Sequence, residues 1–265
     1  MLTVDDDTIA FAHRLADAAG DAIRPYFRAR IDVANKHKEA GFDPVTEADR
    51  GAEKVIRRLI ANERPDDGIL GEEFGEVQGT SGWRWVLDPV DGTRAFITGR
   101  HEWGSLIALE RNGVPVLGII DQPVLRERFL GVNDRAEMMC GSEVVPLRAR
   151  SCPELSQAVL CATHPDAYFT APERDAFKRV ERRTRMTRFG GDCYLFAALA
   201  LGFIDIVVES TLNRWDVAAL IPLVEGAGGR ITNWQGGPCL DGGQVLATGD
   251  PELHAQVIAL LNERG

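Results

Sequence analysis

The sequence predicts a layered α/β protein with two lobes, and three observations predict it. Apolar residues recur at helical spacing near both ends of the chain. Short runs rich in β-branched and aromatic residues follow one another from Gly68 to about Leu130. From about Ser151 onward strands and helices alternate, which calls for a second sheet region.

Over residues 8–28, Ile9, Ala12, Leu15, Ala16, Ala19, Ile23 and Phe27 share one helical face while Asp17, Asp21 and Arg24 lie elsewhere, so an amphipathic helix is expected. A polar, glycine-containing connection, 35–43, leads to Thr46, placed to cap a second helix running to about Asn62 with Val55, Ile56, Leu59 and Ile60 inward. Arg64-Pro65-Asp66-Asp67-Gly68 ends it. Strands are expected at 68–71, 83–87, 105–109, 114–120 and 128–131, and the Arg111-Asn112-Gly113 turn joins the third and fourth as a hairpin, which makes part of the sheet antiparallel. The second half is read as a strand at 158–162, helix 172–181, a short strand near Thr187, helix 193–201, strand 204–208, helix 215–226, strand 244–247 and helix 251–261. No internal repeat, low-complexity tract or flexible linker interrupts this pattern, so residues 1–265 are read as one catalytic domain with lobes of about 1–148 and about 149–265.

A chain of 265 residues, 45% hydrophobic, supplies a sizeable core without staples. Its formal net charge of −10 offers no long-range attraction to nucleic acid or anionic lipid, so neither is expected as a partner. Cys140, Cys152, Cys161, Cys193 and Cys239 are an odd, widely spaced set without C-x-x-C, and buried thiols in a reducing compartment are expected. With no basic-then-apolar leader and no long apolar run, a cytoplasmic protein is expected.

Acidic clusters carry most of the functional signal: Asp49, Glu72-Glu73, Asp88-Pro89-Val90-Asp91-Gly92-Thr93 and Trp215-Asp216. Each falls where a strand ends or a helix begins, so the side chains are expected to converge. Hard oxygen ligands from separate segments suit Mg²⁺, and Asp88 and Asp91 are placed to face one cation. Gly92 permits close backbone approach, and the Gly92 and Thr93 amides suit phosphate oxygens. A metal-dependent phosphatase follows. Each cluster also has a plainer reading: an Asx-capped turn for D-P-x-D-G-T, a solvated strand end for Glu72-Glu73, and helix capping for Asp216 and for Asp49, three residues after Thr46.

Taken together these strings resemble the inositol monophosphatase family of Mg²⁺-dependent phosphatases over nearly the whole chain. Gly71-Glu72-Glu73, Trp85 through Thr93, and Trp215-Asp216-Val217-Ala218-Ala219 followed by Glu225-Gly226-Ala227-Gly228-Gly229 carry the resemblance. It implies an αβαβα sandwich and a homodimer. It implies two or three Mg²⁺ per site: Glu72, Asp88 and the Val90 carbonyl hold one, Asp88, Asp91 and Asp216 a second, and Glu72 is available to a weaker third. It further implies that Thr93 and Asp49 orient and deprotonate an attacking water, with Glu72 counted among the catalytic residues, that the Gly92 and Thr93 amides bind phosphate, and that Lys38 is an accessory residue near the metal entry. No covalent phosphoenzyme is required; a haloacid-dehalogenase phosphatase needs an Asp-x-Asp pair, whereas two residues separate Asp88 from Asp91.

Within the family, Thr93-Arg94-Ala95-Phe96-Ile97-Thr98-Gly99 and Arg188-Phe189-Gly190-Gly191-Asp192-Cys193-Tyr194 look most like the histidinol-phosphate phosphatase branch. Histidinol phosphate carries an ammonium and an imidazole, so Asp192 and Glu209, with Arg94 beside them, are the expected substrate-binding residues. Against this, Glu209 also matches a residue that binds inositol hydroxyls, Asp192 has a helix-cap reading, and Ala95 and His164 depart from the branch's pattern. The alternatives are an inositol or related sugar-phosphate phosphatase and a non-catalytic scaffold that binds metal and a phosphometabolite. His13 and His254 are expected on solvated helix faces, the arginines between 179 and 188 in solvent, and the five tryptophans in core or interface.

Overall fold

The computed structural model describes residues 3–30, 33–35 and 44–263. Lys38, the accessory residue, and most of the 35–43 connection lie outside the described residues.

Helix α1 (Asp6–Ile23) is followed by a 3₁₀ turn (Arg24–Tyr26) and a two-stranded ribbon, β1 (Ala34–Asn35) with β2 (Pro44–Val45). Pro25 supplies no N–H, which is why the first helix stops short of Arg28. Next come α2 (Glu47–Glu63), β3 (Gly68–Gly71), β4 (Gly75–Val77), β5 (Trp83–Asp91), α3 (Thr93–Ile97), β6 (Gly104–Arg111), β7 (Val114–Gln122), β8 (Glu127–Val132), β9 (Arg135–Cys140) and β10 (Glu143–Pro146). The second half contains β11 (Val159–Ala162), α4 (Pro165–Tyr168), α5 (Ala171–Glu181), β12 (Met186–Phe189), α6 (Tyr194–Ala200) and β13 (Ile206–Leu212). It closes with α7 (Arg214–Val217), α8 (Leu220–Gly226), β14 (Arg230–Thr232), β15 (Gly243–Thr248) and α9 (Pro251–Leu261).

Two sheets result. The larger runs β10-β9-β8-β7-β6-β5-β3-β4, antiparallel except for the β3–β5 pair; the smaller runs β12-β11-β13-β15-β14, with β11 parallel to both neighbours. Asn112 and Gly113 both adopt positive φ at the β6–β7 turn, the conformation an Asn-Gly hairpin requires.

Alternation along the strands sorts the core into layers. Leu87, Ile107, Ile119 and Leu130 face α1 and α2, packing with Phe11, Leu15, Ile56 and Ile60. Val86, Leu106, Ile120 and Phe129 face the other way and meet α6, α8 and the inner face of the small sheet through Phe196, Leu223, Val207 and Ala247. The small sheet's outer face, Leu160, Ile206, Val208 and Leu246, packs against α5 and α9 through Phe177, Leu253 and Val257. The order is helices, sheet, helices, sheet, helices, the αβαβα sandwich that the resemblance implied.

Three further features depart from the sequence reading, besides the shorter first helix and strands it did not expect, among them β4, β9, β10 and β14. The expected helix 215–226 is broken between α7 and α8, because Pro222 donates no hydrogen bond to the carbonyl four residues back. His254, expected in solvent, is buried between the Thr232 and Thr248 hydroxyls, at 2.8 and 2.9 Å. Arg179 is not simply solvated: Nε and Nη2 donate to the carbonyls of Leu260 and Leu261 and close the end of α9. Four of the five cysteines are buried and Cys140 is exposed; Trp85, Trp103 and Trp234 lie in the core. Among the described residues no helix is long and apolar enough to cross a membrane.

Candidate active site

Strand β5 carries two of the acidic residues to the edge of the central layer. Its register against β6 slips between Asp88 and Asp91: three steps on β5 match two on β6, from Leu106 to Gly104. This bulge inserts one residue and turns Asp91 towards the side that Asp88 faces. The turn is held by Val90 N–H donating to Asp88 Oδ1 (3.1 Å), Ser105 Oγ donating to the Pro89 carbonyl (2.7 Å) and Thr93 Oγ1 donating to the Val90 carbonyl (3.0 Å). Gly92 has φ 85°, and a Cβ there would press on the Glu102 carbonyl at 3.0 Å and Asp192 Cβ at 3.2 Å, so glycine is required.

Asp216 comes from the opposite sheet's connection. On α7 it closes a capping box, accepting from Asn213 N–H at 2.6 Å, and still reaches the other two acids. Carboxylate oxygens of Asp88, Asp91 and Asp216 all lie within 4.8 Å of one another. Capping and convergence therefore coexist.

Electrostatics follow from the crowding. Burial, reinforced by Glu72, Asp91 and Asp216, holds the Asp88 carboxyl well above the usual range. Burial and then Asp192 and Asp216 do the same for Asp91, and burial moves Asp216 up to about 6. Carboxylates this close do not all ionise without a counter-cation. Three hard oxygen donors in a common cluster, Asp88 buried and Asp91 and Asp216 partly so, fit Mg²⁺.

These residues line one cavity of about 280 Å³ together with Glu72, Val90, Gly92, Thr93 and Arg94. Asp192 and Glu209 line it too, so ten of the residues named from sequence meet there. Asp49 does not: wholly buried, it sits in the α2 capping box, Oδ2 accepting from Thr46 N–H (2.9 Å) and Thr46 Oγ1 (2.5 Å). Its pKa is nevertheless pushed up to about 6, by burial and by the Glu73 charge against the Thr46 bonds.

Asp192 adopts φ 45° after two glycines, and α6 begins at Tyr194, with Cys193 at its N-cap and no side-chain cap. Its carboxyl is therefore not used as a helix cap. Burial, with Glu102, raises it to about 6 against the pull of Arg94 and Arg100. Glu209 lies beneath, Oε1 accepting from Thr163 N–H (2.6 Å) and Oγ1 (2.7 Å), and burial pushes it up to about 8. Among the described residues the groups that act on Glu209 are the Thr163 donors and the Asp192 charge, with no cation beside them.

Several contributors were not named from sequence. Cys193 N–H donates to Asp91 Oδ2 at 2.7 Å and fixes that carboxylate. Tyr168 lines the cavity with the Arg94 guanidinium over its ring, 5.2 Å from the centroid. Glu53, wholly buried on α2, accepts from the Glu73 and Phe74 N–H groups (2.8 and 3.2 Å) and from Arg57 Nε (2.7 Å), which pins the turn that presents Glu72. A Cβ on Gly71 would lie 2.1 Å from Glu53 Oε1, so that glycine was a readable signal of something packed close behind it.

The model of the inositol monophosphatase family matches residues 5–265. The bifunctional phosphatase IMPL2, chloroplastic, of Arabidopsis thaliana is 41% identical over 97% of this chain and 75% of its own. A histidinol-phosphatase of Mycobacterium tuberculosis is 35% identical over 97% of this chain and 98% of its own. Among solved structures, an inositol monophosphatase from Zymomonas mobilis superposes with a TM-score of 0.86 at 44% identity, covering 99% of this chain and all of that one.

Proposed function

The chain belongs to the inositol monophosphatase family of metal-dependent phosphatases, and on that premise we propose that it hydrolyses L-histidinol phosphate to L-histidinol and phosphate. The carrying observation is Glu209: a buried carboxyl facing the cavity, with no cation paired to it, beside a second raised carboxyl, Asp192. An arriving ammonium or imidazolium supplies the missing positive charge, and both acids ionise against it. The 35% identical relative named histidinol-phosphatase supports the same substrate.

Glu72, Asp88, Asp91, Asp216 and the Val90 carbonyl would hold Mg²⁺. When bound, the ion draws charge off the phosphoryl group and acidifies water at neutral pH. The chain's own residues do the rest. Gly92 and Thr93 amides receive the phosphate oxygens, in a turn whose positive φ at position 92 calls for glycine. Thr93 Oγ1, held towards the Val90 carbonyl, orients the attacking water. Asp49, its pKa raised to about 6, acts behind Thr46 as the proton sink for that water, reached through Thr46 or a bridging water because it lies outside the cavity wall. Arg94 borders the phosphate end and balances Asp192 until substrate enters.

A second reading has its own observation. With a pKa about 8, Glu209 is protonated at neutral pH and can donate to a sugar hydroxyl, as an inositol phosphate requires. Phosphate release from histidinol phosphate, inositol 1-phosphate, fructose 1,6-bisphosphate and 3′-phosphoadenosine phosphate, with Mg²⁺ or EDTA, separates the readings. Histidinol phosphate is expected to turn over with the highest kcat/KM, and Asp192→Asn to lower that value at least about tenfold, one lost charge-assisted bond, while barely changing inositol 1-phosphate. Faster inositol 1-phosphate hydrolysis would replace the substrate assignment, and no turnover at all would leave a binding scaffold. The homodimer belongs to the same proposal: light scattering is expected at twice the 29.1 kDa chain mass, and a single-chain mass removes it.

A further inference from the structure

Glu110, on β6, does not line the cavity, yet it is wholly buried and shared between two arginines. Oε2 accepts from Nε and Nη2 of Arg84 on β5, at 2.9 and 2.7 Å, and Oε1 accepts from Nε of Arg214 at 2.8 Å. Arg214 is the first residue of α7. Its other nitrogens donate to the Gly113 carbonyl in the β6–β7 turn and to Asp241 Oδ1, each at 2.6 Å. Arg84 stands four residues before Asp88 on one strand, about 13 Å at strand rise, and Arg214 stands two residues before Asp216. One buried carboxylate thus ties the strand that carries Asp88 and Asp91 to the helix that carries Asp216.

We propose that Glu110, acting through Arg84 and Arg214, is a positioning residue that sets the distance between Asp216 and the Asp88–Asp91 pair. The inference rests on the metal-site reading above. A four-residue helix has too few internal bonds to hold its own direction. The Asn213–Asp216 capping box shapes that turn locally but does not attach it to β5. The Arg214 fork does so through Glu110 and Arg84: its three nitrogens reach Glu110, the adjoining β6–β7 turn and Asp241 in fixed planar geometry, and Glu110 is bound in turn by Arg84 on β5. The plainer view is a buried ion-pair triad that only stabilises the fold. Desolvating such charges offsets most of their attraction, and apolar replacements usually serve stability as well. What apolar side chains do not supply is a directional tie between two ligand-bearing segments, and Mg²⁺ demands near-ideal ligand geometry.

The test is calorimetric titration of the whole chain with Mg²⁺ alone, well below the melting temperature, for wild type, Glu110→Gln, Arg214→Lys and Asp91→Asn. Arg214→Lys keeps the charge and loses the fork, and it stays interpretable if Glu110→Gln does not fold. In Arg214→Lys, and in Glu110→Gln where it folds, the Mg²⁺ dissociation constant is expected to rise about tenfold, the lower end of what lost outer-shell support does to metal affinity. The Mg²⁺ concentration for half-maximal phosphatase rate should rise in parallel, with kcat at saturating Mg²⁺ within about twofold of wild type. Excess Mg²⁺ restores a displaced ligand but not a damaged fold. Arg214→Lys binding Mg²⁺ as tightly as wild type overturns the proposal, as does a kcat loss that saturating Mg²⁺ leaves in place. If wild type itself binds no Mg²⁺, the metal-site reading fails and takes this proposal with it; if wild type binds, Asp91→Asn does not, and Arg214→Lys matches wild type, the tie alone is wrong.

Discussion

Asp88 and Asp91 are three residues apart on one strand, a spacing that in regular pleat sends side chains to opposite faces. The bulge at Pro89 and Val90 is what allows both to reach one cluster, so the chemistry depends on a local break in the sheet. Asp91→Asn keeps the volume and the oxygen that Cys193 N–H needs, so the fold should stand. Activity is expected to fall roughly 10³-fold or more, since several kcal/mol of charge stabilisation leaves with the metal. Stability in EDTA should match or exceed wild type, because one of the mutually repelling acids is gone. Phosphate release and a melting curve in EDTA check this; near-normal rates would remove Asp91 from the ligand set. Pro89 was itself a legible sign of the bulge, since proline inside a strand is confined to edges and bulges. Glu53 and Glu110 were not legible. A lone acid in a helical or strand pattern reads as solvated until its partners, distant in sequence, are known.

Elements with a strong period of their own were the readable ones. α1, α2, α5 and α9 fall close to the expected ranges because each buries one stripe, and the Asn-Gly turn located the β6–β7 hairpin. β9 and β10 were missed: Arg135–Cys140 and Glu143–Pro146 are half-exposed strands at the sheet's outer edge, held by the backbone of β8 rather than by a pattern of their own. α9 hides its determinant differently, in His254. Burial, with the Arg230 charge adding to it, lowers that imidazole from 6.5 to about 4. The folded state therefore holds the neutral ring while the unfolded chain takes a proton near pH 6.5, so stability is retained above that pH and lost as pH falls towards 4. Discounted for solvent screening, the loss is about 2 kcal/mol. Urea denaturation across this window should show His254→Gln less stable than wild type at neutral pH and flatter below it; parallel curves for the two proteins would contradict the assignment.

At the scale of the molecule, two sheets and three helical layers bring segments far apart in sequence to a common cavity where the sheets meet the middle helices. The two-sheet architecture was legible in the change from hairpin strands to alternating strands and helices, and the acidic strings were legible as a set. Their separation was not, because it is fixed by the bulge in β5, by the break at Pro222 and by contacts across the layers, none of which has a local period. A chain whose formal net charge is already −10 gains nothing from crowding acids into one cluster unless a cation joins them. The most direct measurement is therefore anomalous diffraction from a crystal soaked in Mn²⁺, as a stand-in for Mg²⁺, and phosphate. The expected result is metal density bridging Asp88, Asp91 and Asp216 with phosphate above Gly92 and Thr93. Metal density elsewhere, or none in that cavity, would contradict the account.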